Sequence, residues 1–373
     1  HQKGDSVYIS EPYEGLPAYE AGLKAGDLIL EVNGQSAKGK NSDQVREFLR
    51  GQAGSVIKVK ISRQGEEKTF SFKRKEITLP NVPYSGMLEK NVGYIKLNEF
   101  TKNAASNVLS AFNNLKKQGM TSLILDLRGN GGGLLNEAVD IVNIFVDKGN
   151  VVVTTKGKTL DKNASFKTRN KAVDTKIPIV VLINRGSASA SEILSGALKD
   201  YHLAYLVGER TYGKGSVQQV IPLSDIDGFK ITMARYYTPS DVNIDKIGIP
   251  PDFEIANFTP LTKEQEETYV KLIESNVIEK TVAQNPNMTE ALIAEKANAI
   301  SVQYKIEARI IRKLLRNEVQ RKMPTPLYDL DYDLQLNKAI KIINSGEYRS
   351  LLNQTKTLKQ LQEAVELEEK KSK

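Results

Sequence analysis

Three short stretches carry residue types that could do covalent chemistry. In Asn184-Arg185-Gly186-Ser187-Ala188-Ser189-Ala190-Ser191-Glu192-Ile193, three serines alternate with small residues, directly after an apolar run and before a helical pattern. A strand-to-helix turn can expose a nucleophile, and small neighbours permit both a cramped turn and close approach of a substrate. Serines at helix starts more commonly cap, and Ser191, followed by Glu192, suits that role. Spacing alone leaves Ser187, Ser189 and Ser191 all open. A hydroxyl needs a base to attack at neutral pH. Downstream, Thr211-Tyr212-Gly213-Lys214-Gly215-Ser216-Val217-Gln218 sets a lysine between two glycines, among apolar strand residues. A lysine that loses its hydration in such a setting titrates toward neutrality and becomes a usable general base. The third stretch, Asp126-Leu127-Arg128-Gly129-Asn130-Gly131-Gly132-Gly133-Leu134-Leu135, reads as strand end, glycine loop and helix start. Its backbone N–H groups suit an anion, either a phosphate or a developing oxyanion. It lacks the Gly-Lys-Ser/Thr ending of a phosphate-binding loop and the spacing of the dinucleotide fingerprint. Taken alone, a plain tight turn would give the same string.

Composition narrows the chemistry. The 373 residues include no cysteine and two histidines, His1 and His202. Cysteine nucleophiles, thiolate metal sites and disulfides are excluded, and a multi-histidine metal centre has too few ligands. A Ser-His-Asp triad would rest on His202 alone, which follows Tyr201 at a helix end and reads as a surface residue. No cofactor is called for. The 53 Lys and Arg against 45 Asp and Glu give +8, scattered rather than gathered in a stripe, which argues against nucleic-acid binding. The longest apolar run, Ile177 to Ile183, is broken by Pro178 and far shorter than the ~20 residues of a membrane span. The chain begins at His1 and is read as a processed or truncated product, with any targeting segment out of view.

The elements that must position these residues follow from periodicity. The length argues for two or three domains, since single cores rarely grow past roughly 250 residues. Up to residue 76 the pattern gives a strand at Ser6–Ile9, a short helix at Pro17–Ala21 closed by Gly22, and a strand at Asp27–Val32 turning at Asn33-Gly34. A helix capped by Asn41 or Ser42 runs to Leu49, and strands follow at Val56–Ser62 and Lys68–Phe72. After a linker at residues 77–83, strands at 92–97, 122–127, 179–183 and 203–207 alternate with helices at 103–118, 134–145 and 190–199. That alternation predicts an α/β core over residues 84–258. Residues 259–373 read as a helical region, with helices at Lys263–Asn276, Glu290–Ile300 and Gln303–Gln320 and a charged helical tail from Gln354.

Two sets of motifs carry a resemblance. Gly15-Leu16-Pro17-Ala18, Ala21-Gly22-Leu23-Lys24-Ala25-Gly26-Asp27 and Val32-Asn33-Gly34 resemble a PDZ domain of the bacterial protease type over residues 1–76. Such domains take a peptide C-terminus as an added strand, here beside the helix at Asn41–Leu49. In that family a Gly-rich strand and carboxylate-binding loop precede the equivalent of Ser6, and this chain starts after them. The glycine loop, the serine stretch and the Lys214 stretch occur in the order seen in carboxy-terminal processing proteases. Ala234-Arg235-Tyr236-Tyr237-Thr238-Pro239-Ser240 and Gly248-Ile249-Pro250-Pro251-Asp252 match that family too. Within it, the likeness is nearest to the Bacillus type, including sporulation proteases.

The resemblance implies a crotonase- or ClpP-like α/β protease core with an N-terminal PDZ domain and a C-terminal helical appendage used for dimerisation. It makes Ser189 the nucleophile, Lys214 its general base and Gln218 the residue that positions the lysine. The N–H groups of Gly132 and Ala190 become the oxyanion hole. Where the family often has Pro, this chain has Gly131. The implied activity is a Ser-Lys serine endopeptidase acting on extracytoplasmic proteins, regulated by PDZ recognition of substrate C-termini. Implied partners are proteins or peptides with accessible C-termini, membrane-associated ones included, and a second copy of the chain. An empty PDZ domain is expected to disturb the Lys214–Gln218 geometry and a bound peptide to restore it. Two competing readings are a non-catalytic PDZ scaffold with a degenerate protease core and an acyl-thioester enzyme of the crotonase type.

Overall fold

In the computed structural model, the described residues are 2–371 except 11, 13–15, 25, 64, 78–79, 160, 162, 223–226, 257–261, 286–287, 320–329 and 331. Gly15 and Ala25 of the PDZ signature, part of the expected linker and the expected boundary at 258–259 lie outside them. The chain divides into two units, residues 1–78 with 260–332 and residues 79–259 with 333–373.

In the first unit, the PDZ segment contains β1 (Gln2–Lys3), β2 (Ser6–Val7), α1 (Pro17–Glu20), β3 (Leu28–Val32), β4 (Gln35–Ser36), α2 (Ser42–Leu49), β5 (Val56–Arg63) and β6 (Glu66–Lys73). Strands β4-β3-β5-β6 form an antiparallel sheet. Alternation along β5 sends Ile57, Val59 and Ile61 inward to meet Ile29, Val32 and Val45. Asn41 caps α2: its Oδ1 accepts the Gln44 N–H, and Gln44 Oε1 accepts the Asn41 N–H. Asp27, 1% exposed, is held by the Arg63 guanidinium through both oxygens at 2.7 Å.

The second unit begins before the expected start. Asn81 is buried and bonds to Thr101, Lys102, Asn98 and Asn107, so the end of the linker belongs to the core. The elements are β7 (Tyr84–Met87), β8 (Val92–Lys96), α3 (Ala104–Lys117), β9 (Ser122–Asp126), α4 (Leu135–Val142), β10 (Val151–Gly157), β11 (Ala164–Lys167), β12 (Ile179–Ile183), α5 (Ala190–Asp200), β13 (Ala204–Gly208), β14 (Ser216–Pro222), β15 (Gly228–Tyr237) and β16 (Phe253–Glu254). A six-stranded sheet runs β16-β13-β12-β9-β8-β7, parallel except for β7. A second, antiparallel sheet runs β11-β10-β15-β14.

Strands β9, β12 and β13 are buried along their whole length, as mostly apolar strands of a parallel sheet covered on both faces should be. One parity of side chains (Leu123, Leu125, Val181, Ile183) packs into the cluster formed with α3, α4 and α5. The other parity, including Ile124, Val180 and Val207, is equally hidden from water.

The helices of the first unit are α6 (Lys263–Glu274), α7 (Val277–Gln284), α8 (Glu290–Tyr304) and α9 (Ala308–Val319), around Leu272, Ile293, Ile311 and Leu315. The helix expected over 303–320 breaks at Lys305, which adopts a left-handed conformation (φ 51°) and ends α8. Residues 333–373 supply α10 (Leu334–Asn344), α11 (Tyr348–Asn353) and α12 (Leu358–Lys371) to the second unit. Helix α10 packs on β9, β12 and β13 and buries Leu336, Ala339 and Ile340. The helical region expected as one appendage is therefore divided, because the core sheet needs cover on its second face. Among the described residues no helix is long and apolar enough to cross a membrane.

Candidate active site

The turn from β12 to α5 gives the three serines different surroundings. Ser187 is fully buried, donating its hydroxyl to the Leu127 carbonyl at 2.8 Å and accepting the Asn184 N–H at 3.1 Å. Ser191 is also fully buried and donates to the Asn130 carbonyl at 2.9 Å. It does not cap α5, as its position suggested; the cap is Ser189. Ser189 is half-buried, at φ 56° and ψ −113°. A residue with a Cβ adopts a positive φ at a cost of ~1–3 kcal/mol and stays there only when its surroundings over-determine it.

Glu192 is the main constraint, and its role was not read from the sequence. It is fully buried in the first turn of α5. Its Oε2 accepts the N–H groups of Ser189 and Lys214, each at 2.8 Å. Its Oε1 accepts the Thr211 hydroxyl at 2.6 Å and the Gly213 N–H at 2.7 Å. One carboxylate thus fastens the Ser189 turn to the loop that carries Lys214. The visible signal was a glutamate three residues after a serine, the capping-box spacing, centred on Ser189.

The glycine loop lies against the same turn. A Cβ on Gly132 (φ 103°) would stand 2.7 Å from the Ala188 carbonyl oxygen, 2.8 Å from Ser189 Cβ and 3.0 Å from the Ala190 nitrogen. Only glycine allows this approach. The Ala190 N–H, at the first position of α5, is among the donors every helix start leaves without an intrahelical partner. The Gly132 N–H, expected as the second oxyanion donor, gives its proton to Asn130 Oδ1 at 2.9 Å. Asn130 is fully buried and ties the loop down: its carbonyl accepts from Ala188 N–H and Ser191 Oγ, and its Nδ2 donates to the Leu97 carbonyl.

Lys214 and Gln218 share a cleft of about 550 Å³ with Gly131, Ala188 and Tyr212. Both side chains are exposed, so the desolvation expected of Lys214 is absent from this structure. Its backbone, by contrast, is fixed. A Cβ on Gly215 would strike the Asp245 nitrogen at 2.3 Å, and the Gly213 carbonyl accepts the Lys246 N–H. Gln218 follows an irregularity in the β14–β15 register between Val217 and Gln218. His202 ends α5 in a left-handed conformation, with Nδ1 2.9 Å from Thr355 Oγ1.

Beneath the glycine loop, Asp126 is buried among Tyr94, Lys96 and Arg128, all bonded to its carboxylate. Burial would raise its pKa, but the Arg128 and Lys96 cations and the hydrogen bonds from Arg128 and Tyr94 more than offset this and hold it at about 2. The PDZ segment carries a separate cavity of about 630 Å³, lined mainly by apolar residues including Ile9, Leu49, Ile57 and Phe72, with Arg46 of α2 and Arg50 just after it. Among the described residues no group of three or more His, Asp or Glu side chains could hold a metal ion.

Residues 8–63 match the PDZ domain, and residues 91–255 match peptidase family S41. The chain is 37% identical over 267 residues to a chloroplastic C-terminal processing peptidase of Tetradesmus obliquus, an alignment covering 68% of this chain and 57% of that one. It is 40% identical over 260 residues to a probable CtpA-like serine protease of Staphylococcus epidermidis, covering 68% and 52%. The chain thus spans a little over half the length of these relatives. A solved photosystem II D1 C-terminal processing protease is 36% identical, with 68% of this chain and 69% of that chain covered and a TM-score of 0.44. With its glycine loop, its strained serine turn and its PDZ segment, the chain belongs to peptidase family S41.

Proposed function

We propose that the chain is a serine endopeptidase in which Ser189 attacks a peptide carbonyl, Lys214 takes the serine proton and Gln218 orients the lysine. The Ala190 N–H and an N–H of the glycine loop stabilise the tetrahedral oxyanion; Gly132 serves only if its bond to Asn130 is exchanged for one to the substrate. An acyl-enzyme forms on Ser189, the amine product leaves, and water releases the acid. One observation carries this reading. Of three alternating serines, two spend their hydroxyls inside the core, while the third sits in a strained turn against Gly132 and Ala190.

A polypeptide filling the 550 Å³ cleft would strip water from Lys214, whose side chain is otherwise exposed. Substrates are extracytoplasmic proteins with accessible C-termini, recognised through the PDZ segment, whose occupancy tunes the Lys214–Gln218 geometry. The sporulation role and the homodimer belong to the same reading and rest on family likeness. The exposure of Lys214 is the one observation that favours a silent peptide-binding scaffold instead. Labelling with a fluorophosphonate separates the two. The wild type should label at Ser189 and hydrolyse peptides, while Ser189→Ala does neither and Lys214→Ala loses both by several orders of magnitude. A wild type that neither labels nor cleaves, or a Lys214→Ala enzyme that still cleaves, refutes the dyad.

A further inference from the structure

Arg128 occupies a place that the proposed mechanism does not use. It immediately precedes the glycine loop, and its guanidinium lies between two carboxylates. Nη2 donates to Asp126 Oδ2 at 2.6 Å, while Nη1 and Nη2 reach Asp333 Oδ1 and Oδ2 at 2.7 and 2.8 Å. Nη1 also donates to Gln335 Oε1 at 3.1 Å. The Arg128, Asp126 and Asp333 side chains are 12%, 2% and 15% exposed, so both ion pairs are largely shielded from solvent. The Arg128 carbonyl accepts from Lys96 Nζ at 2.6 Å, which fixes the backbone at the mouth of the loop.

Asp333 and Gln335 begin α10, where Asp333 Oδ1 also caps the helix through the Leu336 N–H. Gln335 Nε2 donates to the Ile255 carbonyl at 2.8 Å. Gln335 thus joins Ile255 to the start of α10 and, through its Oε1, to the residue that opens the glycine loop. From Arg128 the path to the nucleophile is short: Gly129 N–H bonds Asn184, and the Asn130 carbonyl bonds Ala188 and Ser191.

We infer that Asp333 is a positioning residue for catalysis: through Arg128 it holds loop 129–133 in register with the Ser189 turn. This rests on the peptidase reading. A buried ion pair is weak support for stability, since well-packed apolar groups could close the same gap. A pair that orients a loop has a different signature, in turnover rather than in melting.

The test uses full-length Asp333→Asn, Asp333→Glu and Tyr348→Phe. Asn keeps the helix cap and the side-chain shape but removes the charge. Tyr348 ties the same C-terminal segment to β12, accepting the Ile179 N–H at 2.9 Å and donating to its carbonyl at 2.7 Å, both away from loop 129–133. Asp333→Asn should lower kcat about tenfold with KM within twofold and speed hydrogen exchange at amides 129–133. Asp333→Glu should restore part of kcat, and Tyr348→Phe should lower the melting temperature with kcat and loop exchange unchanged. The inference is overturned if Asp333→Asn keeps wild-type kcat and exchange, or if Tyr348→Phe loses kcat equally for the same drop in melting temperature. A wild type without peptidase activity would sink the parent reading alone, because loop exchange in the three variants still decides the role of Asp333.

Discussion

Replacing Glu192 by Gln tests whether one carboxylate holds the Ser189 turn and the Lys214 loop together. Four donors converge on it: three backbone N–H groups and the Thr211 hydroxyl. Thr211 can reverse its role, because a hydroxyl that already accepts the Ile249 N–H has a second lone pair. The amide introduced by Glu192→Gln would therefore turn its NH2 toward Thr211 and Gly213, leaving the Gly213 N–H buried against a donor. That group alone costs about 1–3 kcal/mol, and the bonds from Ser189 and Lys214 weaken by about 1 kcal/mol each on losing the charge. A total near 3–5 kcal/mol should appear as a fall in melting temperature of roughly 10 °C for a unit of this size. If about 3 kcal/mol of it falls on the ordering of the Ser189 turn, turnover drops by about two orders of magnitude. Calorimetry and fluorophosphonate labelling read the two effects separately. Wild-type melting would refute the hydrogen-bond reasoning. Lowered melting with an unchanged labelling rate would refute the positioning role while leaving the structural one.

Three further substitutions probe other parts of the chain. Gly132→Ala places a Cβ 2.7 Å from the Ala188 carbonyl at φ 103°, so strain of about 2–4 kcal/mol and loss of Ser189 labelling are expected; labelling at the wild-type rate would contradict the close approach. Asp126 titrates at about 2, below its ordinary 3.8, so the stability it contributes is complete above pH ~4 and is lost as pH falls toward 2. The difference in unfolding free energy between wild type and Asp126→Asn should accordingly shrink by roughly 2 kcal/mol between pH 5 and pH 2 in urea titrations, and a constant difference would count against the coupling. Asp27→Asn removes the charge that holds Arg63 in the PDZ segment, which should lower the PDZ transition by about 2–3 kcal/mol in full-chain calorimetry and leave hydrolysis of short peptides unchanged.

Elements whose stability is written in local periodicity were legible from sequence. Helix α2 carries its cap in Asn41 and Gln44, and β12 its apolar run; both stand where the pattern put them. The antiparallel sheet β11-β10-β15-β14 was passed over, although Phe229, Ile231 and Met233 alternate with Lys230 and Thr232 along β15. That weak two-residue period sits beside turn-like sequence, and no helix alternates with it to mark a crossover. The fate of residues 333–373 was hidden for another reason. An amphipathic helix announces that it needs a surface without naming which one, and only the sheet, with side chains to bury on both faces, shows that α10 belongs to the core.

The site divides along the same line. Ser187, Ser189 and Ser191 are equivalent as letters, and what distinguishes their surroundings is contacts distant in sequence, from Leu127 to Ser187 and from Asn130 to Ser191. Those contacts depend on β9 and β12 lying side by side in parallel register, which places the turn after one beside the turn after the other. Asn130, Glu192 and Asp333 escaped notice because an asparagine in a glycine loop, a glutamate in a first helical turn and an aspartate before a helix each have a sufficient local explanation. Each satisfies that local role and then uses its remaining bonding capacity across the fold. Glu192 receives the Ser189 N–H as a capping box would, while its other bonds reach Thr211, Gly213 and Lys214. Buried polar groups are in the great majority hydrogen-bonded. Where the local role uses only part of a group's bonding capacity, the remainder points to the partner that sequence alone does not show.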